Sequence, residues 1–204
     1  MVSLILDSAN KELGVALAKD NKIIDEICYD AWQKQSELMI PEIYKIFERN
    51  NVSPKEVGEI LVSEGPGSYT GVRIALTIAK VFAYALNLPV YAFSSLNILA
   101  NLEKTSICLI NARGNRSYFA VYNKDEALIK DTILNNDEVL KYVNDHRDFS
   151  ICGDASYIDL VSERNDCLKN MLLLKSEKYL VKNILSLKAV YLKDESDYQK
   201  SNSK

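Results

Sequence analysis

The sequence predicts an α/β fold of two tandem lobes, the second reduced relative to the first. Three observations carry this. Strand-like and helix-like segments alternate along the 204 residues, which is the pattern of sheets built with crossover helices. The order strand-strand-strand-helix-strand-helix-strand-helix runs once over residues 2–102 and again over 106–189. The two runs also share residues: LILDSANKELGVAL at 4–17 lies over CLINARGNRSYFAV at 108–121, setting Asp7 on Asn111, Asn10 on Gly114, Val15 on Phe119 and Leu17 on Val121.

In the first run, 2–6 is an apolar strand, 13–18 alternates as a second, and 22–29 is a third. Residues 36–50 place Ile40, Ile43, Tyr44 and Phe47 at helical spacing, with Pro41 inside, where it either kinks the helix or marks its first turns. Ser53-Pro54-Lys55-Glu56 is a capping box with proline at the first helical position, so one short turn follows. EILVS at 59–63 is a strand, 71–86 a long helix, 89–92 a strand and 95–102 a helix. In the second run the strands are 106–110, 117–122, 127–133, 149–152 and 171–174, and the helices 137–143, 156–164 and 177–189. This gives one lobe over 1–102, a second over 103–193, and a tail at 194–204, DESDYQKSNSK, that reads as disordered. Two such lobes enclose a cleft, a common place for a ligand.

Composition narrows the chemistry. The chain is 48% hydrophobic and 26% charged, with a net charge of -3, ordinary for a globular protein and without the basic excess of a nucleic-acid binder. No run of about 18 apolar residues suggests a membrane span, and MVSLILD lacks a signal peptide's basic start, so a cytoplasmic location is expected. Cys28, Cys108, Cys152 and Cys167 have no C-x-x-C spacing, and the only histidine, His146, lies in NDHRD; no zinc site and no Ser/His or Cys/His nucleophile is expected. Asp7 ends the first strand, where it serves either a cleft metal or, through the Asn10 or Lys11 amide, the turn that follows. Its counterpart Asn111 is neutral, so paired metal-holding carboxylates are missing.

The run EGPGSYTGVRIALTIAK at 64–80 is the most informative stretch. Its turn satisfies neither G-x-x-x-x-G-K-[ST] nor G-x-G-x-x-G. Gly65, Gly67, Ser68 and Thr70 form a candidate anion or nucleotide turn at a helix start; the alternative is a capped helix with glycines for tight geometry. The helix itself is apolar nearly all round. Gly71, Ala75, Ala79 and Ala83 recur every four residues as a smooth seam that admits a close neighbour. Its cover is either the second lobe or a partner chain. A partner makes the interface Ser36, Leu38, Met39 and Ile43 of the preceding helix with Thr70, Gly71, Arg73, Ile74, Ala75, Ile78, Ala79 and Phe82. On that reading Ala79→Glu loses binding and keeps the fold; a seam turned inward predicts the reverse.

The run VSEGPGSYTGVRI at 62–74 resembles the signature of the TsaB (YeaZ) family. LILDSANKELGVAL resembles its opening strand and turn, Gln35-Ser36-Glu37-Leu38-Met39-Ile40-Pro41 its His-Ser-Glu-x-Leu-x-Pro, Ile110-Asn111-Ala112-Arg113 its Asp-Ala-Arg segment, and Phe93-Ser94-Ser95-Leu96 its Ser-Ser-Leu. The match is specific over roughly the first 120 residues, and Gln35 and Asn111 depart from it. The resemblance implies ribonuclease-H-like lobes of the actin, Hsp70 and sugar-kinase superfamily. It implies a non-catalytic subunit in the synthesis of threonylcarbamoyladenosine beside the tRNA anticodon. Its partners would be a TsaD-type transferase, met through first-lobe helices, and a TsaE-type ATPase, with a homodimer when alone and tRNA reached only through the complex. No metal or cofactor is implied for the chain alone, with ATP or ADP a candidate at the complex interface. The alternative is an ATP-dependent small-molecule kinase of the same fold, using Asp7 and the glycine turn.

Overall fold

The computed structural model describes residues 1–31 and 33–193; the tail at 194–204 lies outside the described residues. The first lobe is a five-stranded sheet ordered β3-β2-β1-β4-β5. Its strands are β1 Val2–Asp7, β2 Glu12–Lys19, β3 Lys22–Asp30, β4 Val57–Gly65 and β5 Val90–Ser94, with helices α1 Gln35–Arg49 and α2 Tyr69–Leu86. The meander β1–β3 is antiparallel, and β4 and β5 run parallel to β1 through the two helical crossovers. The second lobe repeats this with one strand fewer, in the order β8-β7-β6-β9. It uses β6 Thr105–Asn111, β7 Arg116–Asn123, β8 Glu126–Asn135, α3 Asn136–Asp145 and β9 Ser150–Gly153. The duplication extends to side chains. Asp7 Oδ1 accepts from the Ala9 amide at 3.1 Å and Asn111 Oδ1 from the Arg113 amide at 2.8 Å, the same two-residue turn in each lobe.

The first sheet is covered on both faces, as parallel pairing demands. Leu4, Leu6, Val15, Leu17, Ile60 and Val62 face α1 and α2. The alternate residues Ile5, Ala16, Ala18 and Leu61 face α4, Cys167–Leu174, through Leu168, Met171, Leu172 and Leu174. Here the structure departs from the sequence pattern. Residues 171–174, read as a strand, are helical because Asp166 caps the segment by accepting from the Lys169 amide at 2.9 Å, and its apolar side fits the bare sheet face. The predicted helix 177–189 is reduced to two 3-10 turns, Glu177–Tyr179 and Ile184–Ser186; between them Leu180 bridges to Tyr91 and the Val181 amide donates to the Val90 carbonyl at 2.8 Å, covering the β5 edge. The predicted helices 95–102 and 156–164 shrink to single 3-10 turns, Asn97–Leu99 and Ser156–Ile158. Residues 167–193, read as part of the second lobe, thus pack largely on the first.

Candidate functional site

Two surfaces come together around the start of α2. One is the outer face of α1 and α2; the other is the cleft between the lobes.

The helix α2 starts at a cap, where Ser68 Oγ accepts from the Gly71 amide at 3.2 Å, and is held by packing of its apolar face on the core rather than by propensity. It ends at Asn87, which takes the left-handed conformation at φ 54°. Its small-residue seam faces inward. Gly71, Val72, Ala75, Leu76, Ala79 and Ala83 are buried in the lobe's own core. A methyl at Gly71 would collide with the Ser8 carbonyl oxygen, so the seam is where the helix meets the β1–β2 turn and the sheet at backbone distance. Met39 and Ile43 are likewise core residues, fully or almost fully buried. The interface read from the sequence is therefore corrected: Met39, Ile43, Gly71, Ala75 and Ala79 lie inside, Leu38, Ile74, Ile78 and Phe82 are half-buried, and Ser36, Thr70 and Arg73 are exposed.

The outer face carries apolar residues that sequence periodicity assigned elsewhere or passed over. Ile40 and Tyr44 project from α1, and Val81 (61% exposed) and Tyr84 (76%) from α2. Phe47 stacks on Phe82 with ring centroids 6.4 Å apart, while Ser36 shares a hollow of about 360 Å³ with Thr70, Ile74 and Thr77. The two helices therefore run side by side in the same direction, and each leaves apolar residues exposed to solvent. The signal was there in two overlapping apolar stripes on each helix; only the inner one is needed by the sheet. By length and composition α2 is also the one helix among the described residues that could span a bilayer; its 18 residues cover about 27 Å. Its buried seam and the interruptions at Arg73 and Lys80 mark it instead as a core helix with one face outward.

The cleft holds about 710 Å³. Among the described residues its walls bring Lys11, Arg113, Arg116 and Lys193 together with the carboxylate of Asp154, which pairs with Lys11 at 3.1 Å. Of the candidate turn, Gly67, Ser68 and Thr70 line the cleft, whereas Gly65 is buried beneath Val190, whose carbonyl oxygen would lie 2.7 Å from a side-chain carbon there. The turn's geometry thus serves close backbone packing, and the Ser68 amide is bonded to the Ala9 carbonyl at 2.7 Å. Gln35 is a tie: its Nε2 donates to the Asn10 and Lys11 carbonyls at 3.3 and 3.4 Å, fixing the start of α1 to the β1–β2 turn.

Candidate reactive groups are held quiet. Asp7 does not line the cleft; burial raises its pKa, and its carboxyl accepts from Ser63 Oγ and from the Ala9 amide rather than from Asn10 or Lys11. Burial lifts the Cys28 thiol to about 11 and holds Cys108, Cys152 and Cys167 above the ordinary thiol value, against formation of a nucleophilic thiolate. His146 stacks on Tyr142 at 4.0 Å, and its Nδ1 lies 2.9 Å from the Tyr142 carbonyl. Among the described residues no group of three His, Cys, Asp or Glu side chains is placed to hold a metal.

Residues 29–183 match a family model described as TsaD: tRNA N6-adenosine threonylcarbamoyltransferase. The tRNA threonylcarbamoyladenosine biosynthesis protein TsaB of Bacillus subtilis is 30% identical over 144 residues, 69% of this chain; the chain spans 63% of that protein's length. The protein of the same description from Haemophilus influenzae is 24% identical over 228 residues, covering 97% of this chain and 95% of that one. The solved structure of YeaZ from Pseudomonas aeruginosa superposes with a TM-score of 0.75 at 22% identity, over 94% of this chain and 99% of that chain, and so shares its fold.

Proposed function

The chain belongs to the TsaB (YeaZ) family, within the wider family of the TsaD transferase, and we propose that it serves tRNA threonylcarbamoyladenosine biosynthesis as a non-catalytic subunit. It docks a TsaD-type catalytic chain on the outer face of α1 and α2, and that chain performs the transfer to adenosine N6. The observation that carries this reading is the exposure of Ile40 and Tyr44 on α1 and of Val81 and Tyr84 on α2, on a lobe whose sheet is already covered on both faces. An exposed apolar patch left over after the core is complete marks an interaction surface. The same surface pairs two copies when the partner is absent. A TsaE-type ATPase joins the complex, with ATP or ADP at the complex interface, and tRNA is met through the assembly, all in the cytoplasm. A small-molecule kinase gains no support, because the Asp7 carboxylate is held by Ser63 Oγ and does not line the cleft.

The test is reconstitution. Purified chain and its TsaD-type partner, mixed at micromolar concentration and run on a sizing column with and without ATP, are expected to co-elute as a stable complex. Separate elution under every nucleotide condition would sink the proposal.

A further inference from the structure

Residues 187–193 form a strap running from the first lobe to the second past the start of α2. Leu187 is buried in the first lobe's core. The Val190 amide donates to the Glu64 carbonyl at 2.7 Å, and the absent side chain of Gly65 leaves room for the Val190 carbonyl. Leu192 packs on the second lobe's core, and the Lys193 ammonium donates to the Ala112 carbonyl. Tyr191 lies between these anchors, so its ring has little freedom to shift. It stacks on Tyr69 with centroids 5.1 Å apart and planes 28° from parallel. Tyr69 opens α2, and its hydroxyl accepts from Arg73 Nη1 at 2.6 Å, with the guanidinium carbon 4.7 Å from the ring centroid. Both residues are exposed and line the hollow shared with Ser36 and Ile74.

We propose that the strap is a working part of the docking surface, with Tyr191 a positioning residue that holds Tyr69, and through it Arg73, ready to receive a carboxylate of the partner chain. This rests on the reading that the α1–α2 face docks the catalytic subunit. An arginine free on a helix surface samples many rotamers, and freezing one on contact weakens binding; one already held by a ring loses less. The held guanidinium keeps planar donors that match a carboxylate in pairs. A tyrosine stacked on only one side would hold it less well, which is the service of the strap.

The experiment measures the dissociation constant of the full-length chain with its purified transferase partner by calorimetry, at low and high salt. Tyr191→Ala is expected to weaken binding about tenfold and Tyr191→Phe, which keeps the stack, by no more than about twofold. Arg73→Gln should match the Tyr191→Ala loss. The double variant should be no weaker than Arg73→Gln alone, because the ring acts through the arginine. The salt dependence of binding should fall in the Tyr191→Ala and Arg73→Gln variants alike. Additive losses in the double variant, or wild-type affinity for Tyr191→Ala, overturn the proposal. If Tyr191→Ala unfolds at the assay temperature, Tyr69→Phe replaces it: the stack is kept, the acceptor for Arg73 is lost, and undiminished binding is the overturning result. Val81→Glu separates the two levels. If it abolishes binding while Tyr191→Ala does not weaken it, the docking face stands and the strap's part falls; if it binds normally, the docking face falls with the strap.

Discussion

Substituting glutamate at positions 79 and 81 separates the inner from the outer side of one helix, two residues apart. Ala79 is fully buried against the first lobe's core, in the seam where α2 lies closest to its neighbours. A glutamate there adds a methylene and a carboxylate to a packed site, costing about 1–3 kcal/mol in strain, and buries a carboxylate with no cation, costing at least about 3 kcal/mol more. Together these approach the whole stability of a domain, about 5–15 kcal/mol, so the Ala79→Glu protein should melt at least about 8 °C lower (about 2–4 °C per kcal/mol) or be recovered unfolded. Val81 is 61% exposed, and Val81→Glu should change stability by no more than about 0.5 kcal/mol. The same variant places a charge in the apolar face proposed to dock the partner and should abolish partner binding. Thermal melts followed by circular dichroism, with sizing-column binding on the proteins that remain folded, read both effects. An Ala79→Glu protein that melts with wild type while losing its partner would mean the seam faces outward and the packing described above is wrong.

Other positions test other parts of the structure. Gly71→Ala forces a methyl against the Ser8 carbonyl and should lower stability by about 2 kcal/mol or more in urea titration, with the slope unchanged. Lys175→Ala leaves Glu59, which is 1% exposed and also accepts from Ser3 Oγ, as a buried unpaired charge; a loss of about 3–5 kcal/mol is expected, against little change for a Lys175→Arg variant that keeps the pair. Asp7 has a folded pKa raised by burial above its ordinary 3.8. Its contribution is therefore fully present below pH 3.8 and is lost as pH rises through the raised value. Asp7→Asn, the residue the second lobe uses at Asn111, should melt higher than wild type at neutral pH, with the two curves converging as pH falls below 3.8. A difference that persists unchanged at low pH would point to a cause other than ionisation.

Most of the first lobe was legible because each element obeys a local rule. The capping box at Ser53 forms as the spacing says, with Glu56 accepting from the Ser53 amide at 2.7 Å and Ser53 Oγ from the Lys55 amide at 3.3 Å. The internal repeat was readable from Asp7 over Asn111 because the turn chemistry is the same in both. Past Gly153 the local rules stop deciding. The run MLLLK at 171–175 fits a strand or a buried helix equally well, and only the bare face of a sheet about 110 residues earlier selects the helix. The inner and outer sides of α2 were interchanged for a similar reason. Periodicity finds apolar stripes but not which stripe meets the sheet, so Ile40 and Tyr44 passed as core and Ala75 and Ala79 as surface. The strap was invisible: an extended run over 187–193, held by the Val190 amide on the Glu64 carbonyl and by the Lys193 side chain on the opposite lobe, leaves no period to detect.

The return of α4 to the first sheet has a consequence for synthesis. While a ribosome is still translating the middle of the message, Ile5, Ala16 and Leu61 have helices on one side and water on the other. They remain so until Leu168 and Met171 emerge, so the amino-terminal half cannot mature on its own as successive domains commonly do. A nascent chain stalled before codon 165 should therefore attract chaperones and proteases, and its halves should refuse to be expressed separately.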